Sequence, residues 1–346
     1  MLFMAQTARR RYTPSTDLAV DLGTGNTLVH VRGKGVVVNE PSVVAVNRAD
    51  RSVHAVGLEA KRMLGRTTGD VGAVYPLRGG VIADVDLAEA MLRGFLRRAV
   101  PWSRRYARPR VVVAVPSNIT ELERRAVRSS ADAAGAREVY MVAEPIAAAV
   151  GAGVDVTVPV GTMIVDVGGG TTDVAVISLG GIVSDGSIRV GGQTMDRAIA
   201  VYIRRCHNLL IGEPTAESVK IEMASAYPEE NLRTMEVRGR DLVSGIPRAT
   251  VASSEEISRA IQEPIMAIVA AVVRTLEGTP PELAADIVDH GIILTGGGAM
   301  IRGLDRLIAE RSGVPVHVAE DPLTTVVRGT AIIMEHLERN RDLLRA

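Results

Sequence analysis

An aspartate followed by three glycines, with apolar runs on both sides, marks residues 163–177 (MIVDVGGGTTDVAVI) as a place where chemistry could occur. Apolar, β-branched runs around a Gly-rich turn predict a buried β-hairpin. Successive glycine N–H groups in such a turn form an electropositive hollow that suits phosphate oxygens. Asp166 is a carboxylate in an apolar strand, which is costly unless a positive group lies against it. Hydrated Mg²⁺ on a nucleotide would be such a group, and a plain turn with a capping Asp is the alternative.

The same plan occurs near the start of the chain. Residues 18–31 (LAVDLGTGNTLVHV) place Asp21 before a turn of Gly23, Thr24, Gly25, Asn26 and Thr27, again between apolar runs. Two such hairpins predict a duplicated unit whose turns face each other and hold one phosphate chain between them. A third cluster, residues 291–301 (GIILTGGGAMI), reads as a strand, a glycine turn and a helix start, which lets backbone pass close to a bound nucleoside.

Two further segments carry charged residues with competing interpretations. Glu144 stands where a predicted strand gives way to a helix, so its carboxylate could point into a cleft or simply favour the helix N-terminus. Glu217 and Lys220 share one face of a helix that Thr215 could cap, which is typical of an isolated salt bridge.

Other site chemistries lack their motifs. The sequence contains no G-x-x-x-x-G-K-[ST], no G-x-S-x-G and no G-x-G-x-x-G, because Ile301 stands where the last pattern needs glycine. The six histidines are scattered without the spacing of metal ligands. Phosphate handling is therefore the site chemistry that the motifs support.

Composition sets the outer bounds. A chain of 346 residues predicts about two domains, and 47% hydrophobic with 23% charged residues is typical of a globular protein. The net charge of zero gives no general attraction to nucleic acid. The one cysteine, Cys206, excludes an internal disulfide, and its helical pattern predicts a core thiol.

Helix ends are predicted by capping chemistry. Asp84 should cap an amphipathic helix to Val100, and Thr120 should cap a helix that ends at Gly135. Ser253 and Glu256 form a capping box at the start of a long helix to Gly278, with a kink at Pro264.

The N-terminus does not have the order of a secretory signal, because apolar Leu2 and Phe3 precede the arginines. No run approaches the ~18 apolar residues of a spanning helix, so a cytoplasmic location is expected. Residues 97–110 hold six arginines and Trp102 without an acid. They could form a solvated basic loop or a contact with a membrane surface, while a nucleic-acid patch has no supporting motif.

The sequence resembles the MreB family of bacterial actin homologues, within the superfamily of actin, heat-shock chaperones and sugar kinases. The resemblance covers nearly the whole chain. Its motifs are DLGTGNT at 21–27, NEPSVVAV at 39–46, ERRAVRSSADAAGAREV at 123–139, AEPIAAAVGAG at 143–153, IVDVGGGTTDVAVISLGG at 164–181, TAESVKIEMASAYP at 215–228, PPELAADI at 280–287, LTGGGAMIRGLDRL at 294–307 and AEDPL at 319–323.

The resemblance implies an α/β protein with the actin-like ATPase fold, in which two duplicated lobes of mixed sheet and helices surround a nucleotide cleft. Lobe I would comprise residues 1–146 and 320–346, with a small inserted subdomain at about 33–80. Lobe II would comprise 147–319, with a small inserted subdomain at about 182–250.

The resemblance also implies roles for site residues and a cofactor, ATP or GTP with Mg²⁺. Asp21 and Asp166 would hold Mg²⁺ through water, and Glu144 would position the hydrolytic water. The phosphates would contact Thr24, Gly25, Asn26, Gly169, Gly170 and Thr171, and the nucleoside would contact Glu217, Ser218, Val219, Lys220, Gly297, Gly298, Ala299 and Met300. The chain departs from the family pattern at Gly25, where alanine is usual, and at Ala143, where a second acid is usual.

The implied function is that of a weak ATPase whose hydrolysis times the assembly of filaments at the inner face of the cell membrane, where they guide cell-wall synthesis and cell shape. Its partners would be further copies of itself, the membrane through Leu2, Phe3, Trp102 and nearby arginines, and cell-wall synthesis and shape proteins, but no nucleic acid. The alternatives are a nucleotide-binding regulatory paralogue that forms no filament and a small-molecule kinase. A chaperone ATPase would be expected to carry a further peptide-binding domain.

Overall fold

Two five-stranded sheets form the centre of the structure, a computed structural model that describes residues 17–66, 69–100, 108–228 and 231–344. The strands are β1 (Leu18–Leu22), β2 (Asn26–Val31), β3 (Gly35–Pro41), β4 (Val44–Asn47), β5 (Val53–Val56), β6 (Val71–Val74), β7 (Leu77–Arg78), β8 (Val81–Ile82), β9 (Arg110–Val115), β10 (Glu138–Ala143), β11 (Thr162–Val167), β12 (Thr172–Ser178), β13 (Gly181–Ile188), β14 (Leu209–Leu210), β15 (Thr234–Asp241), β16 (Pro247–Ser253), β17 (Ile292–Thr295) and β18 (Val316–Val318).

Helices account for most of the remaining described chain. They are α1 (Leu58–Arg62), α2 (Val85–Ala99), α3 (Glu121–Ala133), α4 (Glu144–Gly151), α5 (Gly192–His207), α6 (Glu213–Met223), α7 (Ser254–Glu277), α8 (Pro281–His290), α9 (Leu304–Ser312) and α10 (Thr325–Glu335), with short 3₁₀ turns at Gly297–Met300 and Arg341–Leu344.

The two large sheets have the same plan. Sheet I has the order β10-β9-β1-β2-β3, and sheet II has the order β18-β17-β11-β12-β13. In each sheet the first three strands in sequence are antiparallel, and the two later strands add in parallel to the first. The duplication predicted from the two aspartate hairpins is therefore confirmed. Each sheet, with the elements packed on it, forms one lobe.

A pair of helices, α4 and α10, lies between the two sheets. Their apolar side chains form one buried cluster with Ala19 and Val112 of sheet I and Ile164 and Ile177 of sheet II. The helices cross in backbone contact, since a Cβ on Gly329 would lie 1.7 Å from the carbonyl oxygen of Ala147. The outer face of sheet I packs on α2 and α3, and that of sheet II packs on α5 and α7.

Each lobe also carries a small three-stranded sheet. On the lobe I side, β5-β4-β6 pack with α1, and on the lobe II side, β14-β15-β16 follow α5. In sequence, both small sheets lie between strands of the large sheets.

The predicted caps are present at three helices. Asp84 accepts a hydrogen bond from the Leu87 N–H at 3.2 Å, and Thr120 forms a capping box with Glu123. Ser253 and Glu256 form the predicted box on α7, which contains Pro264. The cap predicted at Thr215 is wrong: α6 begins at Glu213 after Gly212, with Pro214 in its first turn, where proline's fixed φ suits a helix start.

The prediction that Cys206 is a core thiol is also wrong, because its side chain is exposed. The inward stripe of α5 runs through Met195, Ile199 and Ile203. One turn further on it reaches the half-buried His207 rather than Cys206.

Candidate functional site

The turns after β1 and β11 face each other in van der Waals contact, as predicted. A Cβ on Gly169 would lie 2.8 Å from Gly25 Cα, and one on Gly170 would lie 2.7 Å from Thr24 Cγ2. Ordinary contact for a Cβ begins near 3.4 Å. Glycine is thus required at these positions by the opposing turn, and the two lobes meet at this point with little more than backbone between them.

The facing turns form the floor of a cavity of about 590 Å³, a size typical of small-molecule sites. Most of the predicted site residues line it, namely Asp21, Thr24, Gly25, Asn26, Glu144, Asp166, Gly169, Gly170, Thr171, Glu217, Lys220, Gly297, Gly298 and Met300.

Three predicted residues do not line the cavity. Val219 is fully buried in the lobe II core, and Ala299, a residue of the 3₁₀ turn, is buried in the same core. Ser218 is exposed on α6 and donates to the Pro214 carbonyl oxygen at 3.0 Å. A run of consecutive helical residues cannot face one site, since successive side chains point about 100° apart.

The third glycine cluster passes directly over the end of β11. Gly296 has a φ of +82°, and a Cβ there would lie 2.2 Å from Asp166 Oδ1, while one on Gly298 would lie 2.2 Å from Val167 Cγ1. The segment after β17 is a 3₁₀ turn rather than the predicted helix start, and α9 begins only at Leu304. This turn brings exposed Met300 to the cavity wall.

Buried and half-buried carboxylates surround the two facing turns. Burial raises the pKa of Asp21 to about 7. Burial, together with Asp21 and Asp173, raises the pKa of Asp166 to about 8. The pKa of Glu144 is raised well above its ordinary value by burial and by the charges of Asp173, Asp21 and Asp166. Among described residues neither Asp21 nor Asp166 forms an ion pair, so a cation brought by a ligand would fit between them.

Asp173 is a cleft residue that the sequence reasoning did not assign. It lies directly opposite Asp166 in the β11–β12 register, is 3% exposed and lines the cavity. Its Oδ1 atom has no hydrogen-bond partner within the described part of the chain. The corresponding residue of the first hairpin is Leu28, opposite Asp21. An acid where the other repeat has an apolar residue is a signal that the sequence contained.

Glu144 is the first residue of α4 and reaches the cavity, as one of its two interpretations predicted. The neighbouring Ala143 is buried in the cluster between the sheets. The side chain at position 143 therefore packs against apolar groups. Besides Asp21 and Asp166, the carboxylates that lie near the facing turns are those of Glu144 and Asp173.

Helix α6 also contributes to the cavity wall, and its predicted internal salt bridge is not the one observed. Lys220 Nζ lies 2.8 Å from Asp196 Oδ1 and donates to the Gly192 carbonyl oxygen at 3.1 Å. Glu217 Oε2 lies 2.6 Å from Lys61 Nζ. Ile221 also lines the cavity and is 69% exposed. Met300 and Ile221 are both exposed apolar side chains of the cavity lining.

The predicted membrane contacts Leu2, Phe3 and Trp102 lie outside the described residues. Three arginines of the 97–110 stretch have partners inside lobe I: Arg98 pairs with Glu40, Arg110 with Asp17, and Arg108 donates to a backbone carbonyl. Among the described residues, no helix is both long and apolar enough to cross a membrane.

Comparison with known proteins places this site in a family. The family model described as MreB/Mbl protein matches residues 15–342. The cell shape-determining protein MreB of Escherichia coli (strain K12) is 52% identical over 328 residues, 94% of each chain.

Solved structures of MreB proteins are similar to this chain along nearly its whole length. MreB5 of Spiroplasma citri bound to ADP is 42% identical with a TM-score of 0.88, covering 94% of this chain and 98% of that one. The same protein bound to AMPPNP has a TM-score of 0.89, covering 95% and 99%. A MamK double helical filament, 24% identical with a TM-score of 0.77 over 92% of this chain and 99% of that one, shares the fold. The chain has the actin-like ATPase fold and belongs to the MreB/Mbl protein family.

Proposed function

We propose that this protein binds ATP with Mg²⁺ in the cleft between its lobes, hydrolyses it slowly and assembles into filaments that determine cell shape. The observation that carries the proposal is the pair of facing glycine turns beneath a cavity of about 590 Å³, ringed by buried carboxylates. The names of the relatives support it, since the E. coli relative is called cell shape-determining and MreB5 is described bound to ADP and to AMPPNP. Those adenine nucleotides favour ATP over GTP.

Phosphate binding would use the backbone and hydroxyls of both turns. Thr24, Gly25 and Asn26 would contact the phosphates from lobe I, and Gly169, Gly170 and Thr171 from lobe II. Thr24 is oriented for this role, because its Oγ1 accepts from the Gly80 N–H at 3.0 Å and its own proton is left to donate into the cavity. Preorganised donors of this kind stabilise phosphoryl charge without reorganising during the reaction.

Hydrolysis would depend on Glu144. Asp21 and Asp166 would hold the water shell of Mg²⁺, which supplies charge neutralisation to the phosphates when bound. Glu144, at the start of α4, would accept a hydrogen bond from the attacking water and orient it. Burial and the neighbouring carboxylates raise its pKa, which makes its carboxylate a stronger base than that of an exposed glutamate.

The base would pack against the apolar side chains of Ile221 and Met300 in the cavity lining, with Glu217 and Lys220 beside the ribose. We also propose the lobe boundaries given above, with residues 320–346 returning to lobe I. Their support is that α10 follows β18 of sheet II in sequence, yet it packs on β1, β2 and β9 of sheet I.

For the finer parts of the function, we propose that Leu2, Phe3, Trp102 and nearby arginines contact the inner face of the cell membrane, and that filaments there engage cell-wall synthesis and shape proteins. Filament assembly and membrane contact can be tested together, by sedimenting the protein with Mg-ATP in the presence and absence of anionic vesicles.

The test of the site uses Glu144→Gln with phosphate release measured in parallel. The matched control is Glu121→Gln, which removes the same charge from the first turn of α3 on the surface. We expect Glu144→Gln to pellet with ATP but to release phosphate at least about 100 times more slowly, as for loss of a general base. Wild type that binds ATP but stays in the supernatant with every lipid would overturn the filament proposal and favour a regulatory paralogue.

A further inference from the structure

Two polar contacts join the lobes across the mouth of the cavity. Lys61 Nζ, on α1, lies 2.6 Å from Glu217 Oε2. The Tyr75 hydroxyl, just after β6, donates to Glu213 Oε1 at 2.6 Å. Both donors come from the small sheet of lobe I and the helix α1 packed on it, and both acceptors lie on α6 of lobe II. Glu213 and Glu217 are four residues apart, so they present one face of that helix to the opposite lobe.

The same helix is anchored to its own lobe on other faces. Ala216, Val219 and Met223 are buried in the lobe II core, and Lys220 is held by Asp196, which is 5% exposed. Glu217, Lys220 and Ile221 line the cavity. Helix α6, which would face the nucleoside, is therefore the element that Lys61 and Tyr75 of lobe I contact. The mouth cannot widen by moving that sheet away from α6 unless both contacts break.

The chemistry of the contacts suits a durable but reversible closure. Burial and the hydrogen bond to Glu213 raise the pKa of Tyr75, so its phenol stays protonated and remains a donor at physiological pH. A hydrogen bond from a neutral donor to a carboxylate is stronger than one between neutral groups. The Lys61 and Glu217 side chains are 26% and 32% exposed, so water only partly screens their attraction.

We propose that Tyr75–Glu213 and Lys61–Glu217 form a latch that sets the rate at which nucleotide leaves the cleft. The proposal rests on the nucleotide site proposed above. Tyr75 and Lys61 are positioning residues, because neither lines the cavity. They hold the nucleoside wall in place from the opposite lobe, so breaking the latch should speed release more than it slows capture.

The first test follows dissociation of a fluorescent ADP analogue from the full chain by stopped flow. The variants are Tyr75→Phe, Glu213→Gln and Lys61→Met. The matched control is Tyr140→Phe, which removes a hydroxyl that also donates to a glutamate, Glu138, but within one strand of lobe I.

We expect Tyr75→Phe and Glu213→Gln each to raise the dissociation rate about 3- to 10-fold, the effect of losing one such hydrogen bond. The double variant should be no faster than either alone, and Lys61→Met should add a smaller factor of up to about 5, as for a partly exposed ion pair. Association should change by less than about twofold, because the surfaces that capture the ligand are intact. Tyr140→Phe should match wild type.

A second readout needs no nucleotide. Amide hydrogen exchange across 213–223 in the apo protein should be faster in Tyr75→Phe than in Tyr140→Phe. If wild type fails to bind the analogue, the proposed function is wrong, and the exchange rates alone decide the latch. If Tyr75→Phe releases ADP no faster than Tyr140→Phe and protects these amides equally well, the latch is refuted whether or not the nucleotide site is correct.

Discussion

The same glycine-to-alanine change should weaken nucleotide binding strongly on one of the two facing turns and only slightly on the other. A Cβ on Gly169 would lie 2.8 Å from Gly25 Cα and 2.9 Å from Gly25 N, about 0.6 Å inside ordinary contact. A Cβ on Gly25 would meet Gly169 Cα at 3.3 Å, about 0.1 Å inside it. Neither glycine has a positive φ, so the difference comes from space alone. Backbone on both sides leaves no flexible side chain to move aside.

Gly169→Ala must therefore push the turns apart, which misplaces the phosphate-binding groups of both lobes. Misplacement by about 1 Å costs on the order of 100-fold, so we expect nucleotide affinity to fall about 10- to 100-fold. Gly25→Ala needs only a small adjustment and should change affinity by less than about threefold.

The assay is equilibrium titration of each variant with a fluorescent ATP analogue and Mg²⁺. Thermal unfolding without nucleotide separates lost binding from lost folding. The reasoning is refuted if Gly169→Ala binds within about twofold of wild type, or if Gly25→Ala weakens binding as much as Gly169→Ala does, because the prediction depends only on the spacing of the two turns.

Further predictions concern the carboxylates, the helix crossing and a cap. Asp173→Asn removes a negative neighbour that raises the pKa of Glu144, so the rising limb of ATP hydrolysis against pH should move to lower pH, while an unmoved profile would contradict the coupling. Without nucleotide, the raised pKa of Asp166 stabilises the fold fully below its unfolded value near 3.8, and that contribution is lost as pH rises through about 8, so Asp166→Asn should flatten the fall in melting temperature between pH 6 and 8.5. Gly329→Ala places a Cβ 1.7 Å from a backbone oxygen and should cost about 3 kcal/mol of unfolding free energy in denaturant titration. Ser253→Ala removes the α7 capping box and should cost about 1 kcal/mol in the same titration, with full stability in the variant arguing against the cap.

The parts of the fold that local chemistry determines could be predicted from the sequence. Strand–turn–strand patterns identified both aspartate hairpins. The Thr120 cap located the start of α3 and the Ser253/Glu256 capping box that of α7, because these signals lie within a few neighbouring residues. The duplication was visible for the same reason, since it repeats one local pattern.

The ion-pair partners of individual side chains could not be predicted, because they depend on segments that lie far apart in the chain. Glu217 was expected to pair with Lys220 on its own helix, yet it pairs with Lys61 of the other lobe, while Lys220 turns to Asp196. The exposure of Cys206 depends on which face of α5 packs inward, and that face carries Met195, Ile199 and Ile203. No role was predicted for Asp173, because its role depends on its position opposite Asp166 in the β11–β12 register and not on its immediate neighbours.

The balance of forces in the cleft follows from the duplication itself. Bringing two copies of one hairpin face to face places Asp21 of lobe I near Asp166 of lobe II, and the charge of Asp21 raises the cost of ionising Asp166. Without a bound cation, ionisation of the carboxylates in the floor therefore opposes closure, while Tyr75–Glu213 and Lys61–Glu217 at the mouth favour it. A ligand that brings positive charge to the floor removes the repulsion among these carboxylates, so that the contacts at the mouth keep the lobes closed. On the proposed function, nucleotide occupancy thus biases one two-state element, the separation of the lobes. Any filament contact that spans both lobes would respond to that separation without touching the nucleotide.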